Sequence, residues 1–529
     1  MSSTFMGLET SKRGMNVQQV ALSVLGHNVA NANTDGYTRQ RVNLTQTSPF
    51  PPVGFDKPYM PGQIGTGVQA GSIQRIRESF LDIQFRGDNS KLGYYNSRSD
   101  ALTKMEDIMN EPSDQGLSKT MDRFWQSLQD LSTNPQNSGT RSVVLERGKA
   151  VAETFNYLSS SLSGIQGDLQ NQIDVETQNV NSLLDQIQNV NKQIADVEPH
   201  GMLPNDLYDE RDRLLDKLSG LVSIKVTYSS SGGNSLPSAE GKVSIDLLDE
   251  NGSVIQSGRV IDGNDINSKP NYLTANYDAA NGNLVSSIKI GNNTVNASAF
   301  KSVGKLRSLI DSYGSVDTSS GKAVISGSYP TMLQNLNDMA NAFANQFNQV
   351  FSANGTYNTQ TPPTQGGYFF TDGTNQIANQ PTGSAAVTDL TTITAANISI
   401  NSNITINDIT AANAPVAGDG SNATLLANVL KTNKFTIGNI SNTTIDSFYQ
   451  GVIGGMGVKS QEAERLSSNS QTLVDSVNQN RLSVSGVSLD EEMTDMVKYQ
   501  HAYNASARMI TVIDEMLDKI INSMGTVGR

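Results

Sequence analysis

The two ends of the chain repeat an apolar residue at every seventh position. At the N-terminal end the repeat consists of Leu8, Met15, Leu22 and Val29. At the C-terminal end it consists of Leu489, Met496, Tyr503, Ile510, Leu517 and Met524. A period of seven is typical of helices that bury one stripe against partner helices. The pattern therefore predicts that the chain assembles through its two ends.

Between the two ends the apolar spacing changes from helical to alternating. Residues from about Val151 to Val197 follow helical spacing and predict one long helix. From Val222 the apolar period becomes two, over residues 222–226 and again over residues 243–247, which predicts strands, and Asn251-Gly252 predicts a hairpin turn. Residues 353 to 442 carry few charges and are predicted to form short strands and loops. Helical spacing then returns for the last hundred residues.

The predicted terminal helices have recognisable ends. The first helix should run from about Phe5 to Asn31, where a turn-forming cluster of Asn, Asp and Gly follows. Near the other end, Ser488 to Glu491 is a capping-box sequence, in which the Ser hydroxyl is expected to bond a free amide of the first helical turn and the Glu side chain is expected to bond the amide of the cap residue.

The charges of the two ends are opposite. Residues 1–41 contain four basic and two acidic side chains, a net charge of +2, whereas residues 489–524 contain seven acidic and three basic side chains, a net charge of −4. Opposite charge favours pairing of the two ends.

The fold class expected from these patterns is mainly α with inserted β domains (α+β). The terminal helices are expected to pair in a coiled-coil-like stem, beside a long helical bundle, with β-rich insertions facing outward. The predicted domains are a terminal assembly domain (1–62 with 478–529), a helical-bundle domain (63–221 with 303–352 and 443–477), a β-rich insertion (222–302) and a low-charge β and loop-rich insertion (353–442).

Composition and charge exclude several classes of protein. The 529 residues contain no cysteine, which excludes disulfides, thiolate nucleophiles and cysteine-bound zinc. The net charge of −13 argues against nucleic-acid binding and against an anionic membrane surface. No apolar stretch is long enough for a transmembrane helix, and the opening residues lack the features of a cleaved signal peptide.

The sequence offers no motif for catalysis, a cofactor or a metal. The three histidines, His27, His200 and His501, are not at metal-binding spacing, and no phosphate-binding glycine loop follows a strand. The acidic run 490–492 could be considered for acid–base catalysis, but at a helix start it is better explained by the helix dipole. We therefore expect neither an enzyme nor a cofactor.

The segment after the first helix resembles a known family. Residues 28–40 read Asn-Val-Ala-Asn-Ala-Asn-Thr-Asp-Gly-Tyr-Thr-Arg-Gln, a helix end followed by a tight turn and an extended exit. This segment resembles the N-terminal signature of bacterial flagellar axial proteins, which are the rod, hook and hook-associated families. The expected assembly interface comprises Asn31, Asn33, Gly36, Tyr37 and Arg39 of this segment with the heptad residues Leu8, Met15, Leu22, Val29, Leu489, Met496, Tyr503, Ile510 and Leu517.

The C-terminal end is similar to one branch of these proteins. Its matching segments are residues 485–493, 499–508 and 514–517, and further matches lie at residues 209–218, 304–306 and 418–423. Together with Arg39-Gln40 they resemble the hook-associated family that forms the junction between hook and filament. The resemblance is strong at both ends, moderate in the helical middle and nearly absent from the β segments.

The resemblance implies a location and a set of partners. A structural junction subunit would self-associate in a ring, contact the hook protein, and contact the second junction protein and through it flagellin. A cytosolic export chaperone would hold the C-terminal helix before export to the extracellular flagellum by the flagellar type III apparatus, without a cleaved signal peptide.

Three other interpretations remain open at this stage. The chain could be another flagellar axial component, such as the hook protein or the second junction protein. The β segments could form a glycan-binding or hydrolytic module, although they supply no converging carboxylates or metal ligands. A cytosolic helical scaffold is the third interpretation, and cell fractionation would distinguish it.

Overall fold

The structure, a computed structural model, describes residues 4–51, 62–319, 321–353, 364–374, 379–381, 389–413 and 416–523. Met524, the last residue of the C-terminal repeat, lies outside these ranges. The helices are α1 (Thr4–Ala30), α2 (Ser79–Met109), α3 (Leu117–Thr133), α4 (Ser138–Val197), α5 (Asn205–Leu221), α6 (Lys305–Tyr313), α7 (Ser328–Ala353), α8 (Ser421–Lys431), α9 (Ile445–Ser485) and α10 (Leu489–Asp518).

The strands are short and form several small sheets. They are β1 (Gln40–Gln46), β2 (Val68–Arg75), β3 (Ile224–Ser229), β4 (Lys242–Leu248), β5 (Val254–Ile261), β6 (Leu273–Asp278), β7 (Leu284–Ile290), β8 (Asn293–Asn296), β9 (Ser315–Asp317), β10 (Val324–Ser326), β11 (Thr364–Gly366), β12 (Phe370–Thr371), β13 (Asn379–Pro381), β14 (Ser399–Ile400), β15 (Phe435–Ile437) and β16 (Ile440–Thr443). The predicted fold class, mainly α with β insertions, is confirmed.

The contacts divide the chain into two units. The terminal unit contains residues 1–90, 180–272 and 470–529, and the second unit contains residues 91–179 and 273–469. Helices α2, α4 and α9 each contribute residues to both units. This division into two units does not test the four predicted domains, which stay a prediction.

The terminal unit pairs the first and last helices. Helix α1 packs along α10 and also contacts the antiparallel hairpin β1–β2. A second, three-stranded antiparallel sheet has the order β3-β4-β5, and the predicted Asn251-Gly252 turn joins its last two strands. The buried Asn191 amide of α4 holds this sheet by donating to Val243 O (3.0 Å) and accepting from Val243 N (3.1 Å).

The second unit is built around α3, α7 and α8. Its centre is a cluster of six phenylalanines, each at most 1% exposed, with the closest ring centroids 4.8 Å apart. These residues are Phe124, Phe343, Phe347, Phe351, Phe369 and Phe370. A five-stranded sheet in the same unit has the order β10-β9-β7-β6, with β8 paired to β7.

A row of asparagines on α7 binds two low-charge stretches of the second unit, residues 369–370 and 390–395. Asn348 accepts hydrogen bonds from Phe369 N (2.8 Å) and Phe370 N (2.9 Å) and donates to Phe370 O (2.7 Å). The other members of the row contact the backbone of Leu390, Ile393 and Ala395: they are Asn337, Asn341 and Asn345. Amide side chains therefore replace the backbone partners that a sheet would have supplied.

Two predictions of local structure were wrong. The low-charge range 353–442 contains helix α8 as well as short strands, since Gly420 and Asp419 form a helix start that the charge pattern does not reveal. A Cβ at Gly420 would lie 1.9 Å from Ser132 O, so only glycine permits this approach of α8 to the end of α3. The long helix begins at Ser138, earlier than predicted.

The range 222–302 forms two sheets that belong to different units. Strands β3 to β5 belong to the terminal unit, in which Gln188 donates to Ile266 O and Tyr272 to Asp185. Strands β6 to β8 belong to the second unit, in which Tyr277 donates to Asp174. Successive hairpins are thus bound by successive parts of α4, a pairing that alternation along the strands cannot predict.

Candidate assembly site

Helices α1 and α10 meet along a seam of small residues on α1. A Cβ at Gly7 would lie 3.3 Å from Ile513 Cδ1, and a Cβ at Gly14 would lie 3.2 Å from Ser506 Oγ. Each step of seven along α1 is matched by a step of seven back along α10, as in an antiparallel heptad pair. Three matched positions are Gly7 with Ile513, Gly14 with Ser506 and Asn28 with Glu492. Between them, Tyr499 packs against the cluster formed by Ala21, Val24 and Val42.

The predicted heptad residues lie beside this seam. Leu8, Met15, Leu22 and Val29 each follow a seam residue of α1 by one position and are half-buried. On α10, Met496, Tyr503, Ile510 and Leu517 each follow a seam residue by four positions and are half-buried as well. Leu489 precedes the seam and is 50% exposed. The predicted heptad residues therefore flank the internal seam, and their part in assembly between chains stays a prediction.

The buried Asn28 connects the segments of the signature. Its amide nitrogen donates to Gln40 O (2.9 Å) and Glu492 Oε2 (3.0 Å). Its amide oxygen accepts from Gln40 N (3.0 Å) and Tyr37 Oη (2.8 Å). All donor and acceptor positions of the amide are thus used. Burial and the nearby carboxylates of Asp209, Asp206 and Glu492 raise the pKa of Tyr37, so the phenol stays a donor.

Arg39 joins the extended segment after α1 to the start of α10. Its guanidinium lies 2.8 Å from Glu491 Oε2 and 2.7 Å from Glu492 Oε1, and its backbone N donates to Ser485 O (2.9 Å). Burial lowers the pKa of Arg39, but its hydrogen bond to Glu491 and the charges of Glu492 and Glu491 outweigh burial and raise it. Arg39 therefore neutralises the fully buried carboxylate of Glu492.

The predicted capping box at α10 was wrong in its bonding. Ser488 occupies the N-cap position, but its side chain makes no capping hydrogen bond. Glu491 bonds Arg39 instead of the cap amide. A tertiary ion pair has therefore replaced the local contact that the sequence suggested.

The remaining predicted signature residues make local contacts. Asn31 donates to His27 O (3.0 Å) and accepts from Thr34 Oγ1 (3.2 Å). Asn33 is exposed, and Gly36 forms the turn with a φ of +79°. The structure thus joins Arg39 directly to α10 and Tyr37 to it through Asn28, whereas Asn31 and Gly36 belong to the turn.

A buried ionic cluster that the sequence did not reveal binds the signature segment, residues 28–40, to α5. Asp209 accepts from Thr38 N (3.0 Å) and from Arg75 Nη1 (2.6 Å). Asp212 lies 3.0 Å from Arg75, 3.1 Å from Arg86 and 3.4 Å from Arg77. The cluster is completed by Asp82, Asp216, Arg211, Glu240 and Arg481.

The arginines determine the ionisation of this cluster. Burial alone would raise the pKa of Asp212, but the charges of Arg77, Arg75 and Arg86 hold it well below its usual range. The pKa of Asp209 is raised, because burial outweighs the charge of Arg75. Acids at 209, 212 and 216 share one helical face, which is the sequence signal that could have revealed the cluster.

Helix α10 leaves two apolar stripes exposed. The first stripe comprises Leu489, Met493 and Val497, which are 50 to 62% exposed. The second, which we call the outer stripe, comprises Met509, Val512 and Met516 of α10 and Ile520 of the π-helical turn Lys519–Ser523 that follows it, and these residues are 46 to 53% exposed. A groove of about 990 Å³ lies between α1 and the β1–β2 hairpin, with Phe5, Met6, Val20 and Phe50 among its lining residues. Such apolar surfaces are typical of protein interaction sites.

The structure suggests no metal centre in the part of the chain that it describes. Within those residues, His, Asp and Glu side chains do not gather in groups of three or more that could hold an ion. None of the helices described is long and apolar enough to cross a membrane. The site is therefore characterised by helix contacts, ion pairs and exposed apolar stripes.

Comparison with known proteins identifies the family. The model of the flagellar hook-associated protein FlgK helical domain matches residues 102–370. Flagellar hook-associated protein 1 of Bacillus subtilis is 49% identical over 532 residues, covering 100% of both chains. The chain belongs to the flagellar hook-associated protein 1 family. The corresponding protein of Salmonella typhimurium is 24% identical and covers 96% of this chain and 98% of its own length.

Two other family models match the ends of this FlgK-family chain, which contain the candidate assembly site. The flagella basal body rod protein model matches residues 8–38, and the C-terminal model of the flagellar basal body rod FlgEFG proteins matches residues 478–524. A solved structure, the flagellar hook junction protein FlgK from Burkholderia pseudomallei, shares the fold with a TM-score of 0.57 at 14% identity. It covers 76% of this chain and 100% of its own.

Proposed function

We propose that this FlgK-family chain assembles into the flagellum through α1 and α10 of its terminal unit. As a member of the family, it is a structural subunit of the bacterial flagellum at the junction between hook and filament. The observation that supports the assembly route is the pair of exposed apolar stripes on α10, beside a seam that α1 already fills.

The energetics favour burial of these stripes by neighbouring subunits. Complete burial of one Met, Val, Leu or Ile side chain stabilises an interface by about 1.5–3 kcal/mol. The seven stripe residues are only about half-exposed, so each would contribute less than this. Their sum still opposes the entropy that is lost when subunits associate.

The partners in this proposal are other axial components. Neighbouring copies would form a ring, with the hook protein on one side and the second junction protein, and through it flagellin, on the other. A cytosolic export chaperone would cover the stripes of α10 before export to the extracellular flagellum, which needs no cleaved signal peptide. The proposal includes no nucleic acid, no membrane insertion, no cofactor and no catalytic activity.

The test is complementation of a flagellated strain that lacks its own homologue. The wild-type chain should restore filaments, and antibody labelling should place it at the hook–filament boundary. Met493→Asp should leave hooks without filaments and release flagellin to the medium, because an ionised carboxylate cannot be buried in an apolar interface. Met493 is 62% exposed, so purified Met493→Asp should keep the helical circular dichroism spectrum of the wild type.

Val458→Asp is the matched control, since Val458 is 66% exposed on α9 in the second unit. It should restore filaments. Normal filament numbers with Met493→Asp would refute assembly through this stripe. Absence of the wild-type chain from the boundary would refute the junction function itself.

A further inference from the structure

A cleft of about 710 Å³ opens between α2, α6, α7 and α9, and all of its lining residues belong to the second unit. Its floor is apolar and consists of residues that are at most 6% exposed: Leu102, Met105, Met332, Phe448 and Met456. Three of these are methionines, whose flexible thioether side chains adapt to a bound group. A concave site of about 300–1,000 Å³ with an apolar lining and a few polar groups is typical of small-molecule binding.

Helices α2 and α9 run antiparallel along the cleft. Ser460 of α9 donates to Glu106 Oε2 of α2 (2.8 Å), whereas Tyr449, earlier in α9, donates to Glu111 Oε1 at the end of α2 (3.3 Å). Later residues of α9 therefore lie beside earlier residues of α2. The α9 wall of the cleft spans residues 447–459, which is roughly 18 Å at about 1.5 Å per residue. The cleft is thus long enough for an extended alkyl chain.

The two basic side chains of the cleft lie toward the same end. Arg98 precedes the floor residues of α2, and Lys459 is the last lining residue of α9. Because the two helices are antiparallel, both bases lie away from Phe448, which lines the cleft near the start of α9. The cleft therefore has one basic end and one apolar end.

The guanidinium of Arg98 is half-buried and has a neutral partner. Its Nη1 donates to Tyr94 Oη (3.2 Å), and Tyr94 donates to Asp311 Oδ2 (3.0 Å). Asp311 forms its ion pair with Arg307 (2.8 Å). Burial and the charge of Asp311 raise the pKa of Tyr94, so the phenol keeps its proton. In the part of the chain that the structure describes, neither Arg98 nor Lys459 forms an ion pair, so this end of the cleft attracts an anion.

Two glycines leave the α9 wall open. Gly451 and Gly455 both line the cleft, and their spacing of four places them on one face of the helix. A Cβ at either position would meet no heavy atom of the described chain within 4 Å. Glycine inside a helix is less stable than alanine, so these two positions lower helix stability without relieving a contact within the chain. The space beside them fits a ligand that lies close to α9.

We propose that this cleft binds an amphipathic anion, an alkyl chain that carries one carboxylate. The guanidinium of Arg98 donates parallel hydrogen bonds to the carboxylate, and Lys459 adds attraction from the exposed rim. The alkyl chain lies over the methionines toward Phe448, beside the two glycines. The site lies in the second unit and does not depend on assembly through α1 and α10.

Isothermal titration calorimetry of the full-length chain with decanoate tests the charge requirement. Decanoate should bind saturably at one site per chain, whereas decyltrimethylammonium, with the same alkyl length and the opposite charge, should not bind; both are used at concentrations at which they are monomeric. Arg98→Gln should weaken decanoate binding about tenfold or more. Arg147→Gln is the matched control, because Arg147 is exposed on α4 and does not line the cleft, and it should leave the affinity unchanged.

A second pair of variants tests the location without removing a charge. Gly455→Leu should fill the cleft and abolish decanoate binding, whereas Gly454→Leu should bind as the wild type does, because Gly454 also has open space around it but does not line the cleft. The Tm of both variants should be no lower than that of the wild type, since leucine favours the helix more than glycine does. This pair decides the location even if Arg98→Gln fails to fold.

Three results would overturn the inference: no binding of decanoate to the wild type, equal binding of decanoate and the cationic probe, or unchanged affinity in Gly455→Leu. Each of them would leave the proposed function unaffected, because complementation of filament assembly does not involve the cleft.

Discussion

The two units of the molecule use different side chains to bind irregular backbone segments. In the terminal unit, Asp209 and Asp212 bind Thr38 and three arginines, so the signature segment is fixed by charge. In the second unit, Asn345 and Asn348 bind the backbone of the low-charge segment, so that segment is fixed by neutral amides. Both sets of side chains are buried, and both provide the partners that irregular backbone needs.

Charged groups and neutral amides tolerate burial under different conditions. Arginine and carboxylate groups tolerate burial only when several partners share the charge, as Asp212 does with its three arginines. An asparagine amide carries no charge to compensate and can satisfy a donor and an acceptor at once. The stability of the buried ionic cluster around Asp212 should therefore respond to pH and to loss of one partner more strongly than that of the asparagine row on α7.

Removal of the central carboxylate should have the largest effect. Asp212→Ala leaves Arg75, Arg77 and Arg86 without their shared partner and should lower the free energy of unfolding by about 3–5 kcal/mol. Urea denaturation measures this loss of free energy, and hydrogen exchange shows in which unit it occurs. Glu153→Ala is the control, because its ion pair with Lys149 is 3.9 Å long and exposed. Equal stability of the two variants would contradict this interpretation of the ionic cluster.

Removal of one amide should have a smaller effect that is confined to the second unit. Asn348→Ala leaves the amides of Phe369 and Phe370 without their buried acceptor, which should cost about 1–3 kcal/mol. The same urea titration measures it, with Asn179→Ala as the control because Asn179 is exposed and bonds only a neighbouring side chain. The cost should be the same at pH 7 and pH 5, since an amide does not titrate. A pH-dependent cost would contradict the distinction between the units.

Mild acid should have the smallest effect and should act on the terminal unit first. The pKa of Asp212 in the folded chain is depressed, so its stabilising contribution is present above the unfolded value of about 3.9 and is lost as pH falls below it. Asp209 has a raised pKa and partly offsets this loss. We expect less than about 1 kcal/mol of change down to pH 4.5 and a steeper loss below.

Hydrogen exchange measured by mass spectrometry at pH values from 7 to 3 checks this order, once intrinsic exchange rates are corrected for pH. Protection should fall in residues 205–221 before it falls in residues 328–353. Simultaneous loss of protection in both ranges would show that the ionic cluster does not determine the response to acid.

The sequence predicted the period of the terminal helices better than their contacts. Spacing by seven identified α1 and α10, but it did not reveal which residues of α1 lie against α10 within one chain. Close packing of two helices favours small residues, so Gly7, Gly14 and Ala21 form the seam, and Leu8 and Met15 are left beside it. Apolar size therefore indicates where a helix can bind a partner, and small residues indicate where it already has one.

The polar contacts were less predictable, because each depends on residues far apart in the chain. Asn28 meets Glu492 across 464 positions, and Arg481 meets Asp82 across 399. Spacing alone revealed neither pair. The acids at 209, 212 and 216 and the asparagines at 337, 341, 345 and 348 each share a helical face, yet such rows usually face solvent. Only the folded chain shows that the acids bind arginines and that the asparagines bind backbone groups.

The heptad match between α1 and α10 also creates a risk of slippage. Sliding one helix past the other by seven residues would again place Gly7 or Gly14 opposite α10, so the small residues alone do not define a unique alignment. The Asn28–Glu492 pair defines the alignment, because a slide would leave the buried carboxylate of Glu492 without its hydrogen bond from the Asn28 amide. One polar contact at the end of an otherwise repetitive helix pair thus fixes the alignment of the two helices.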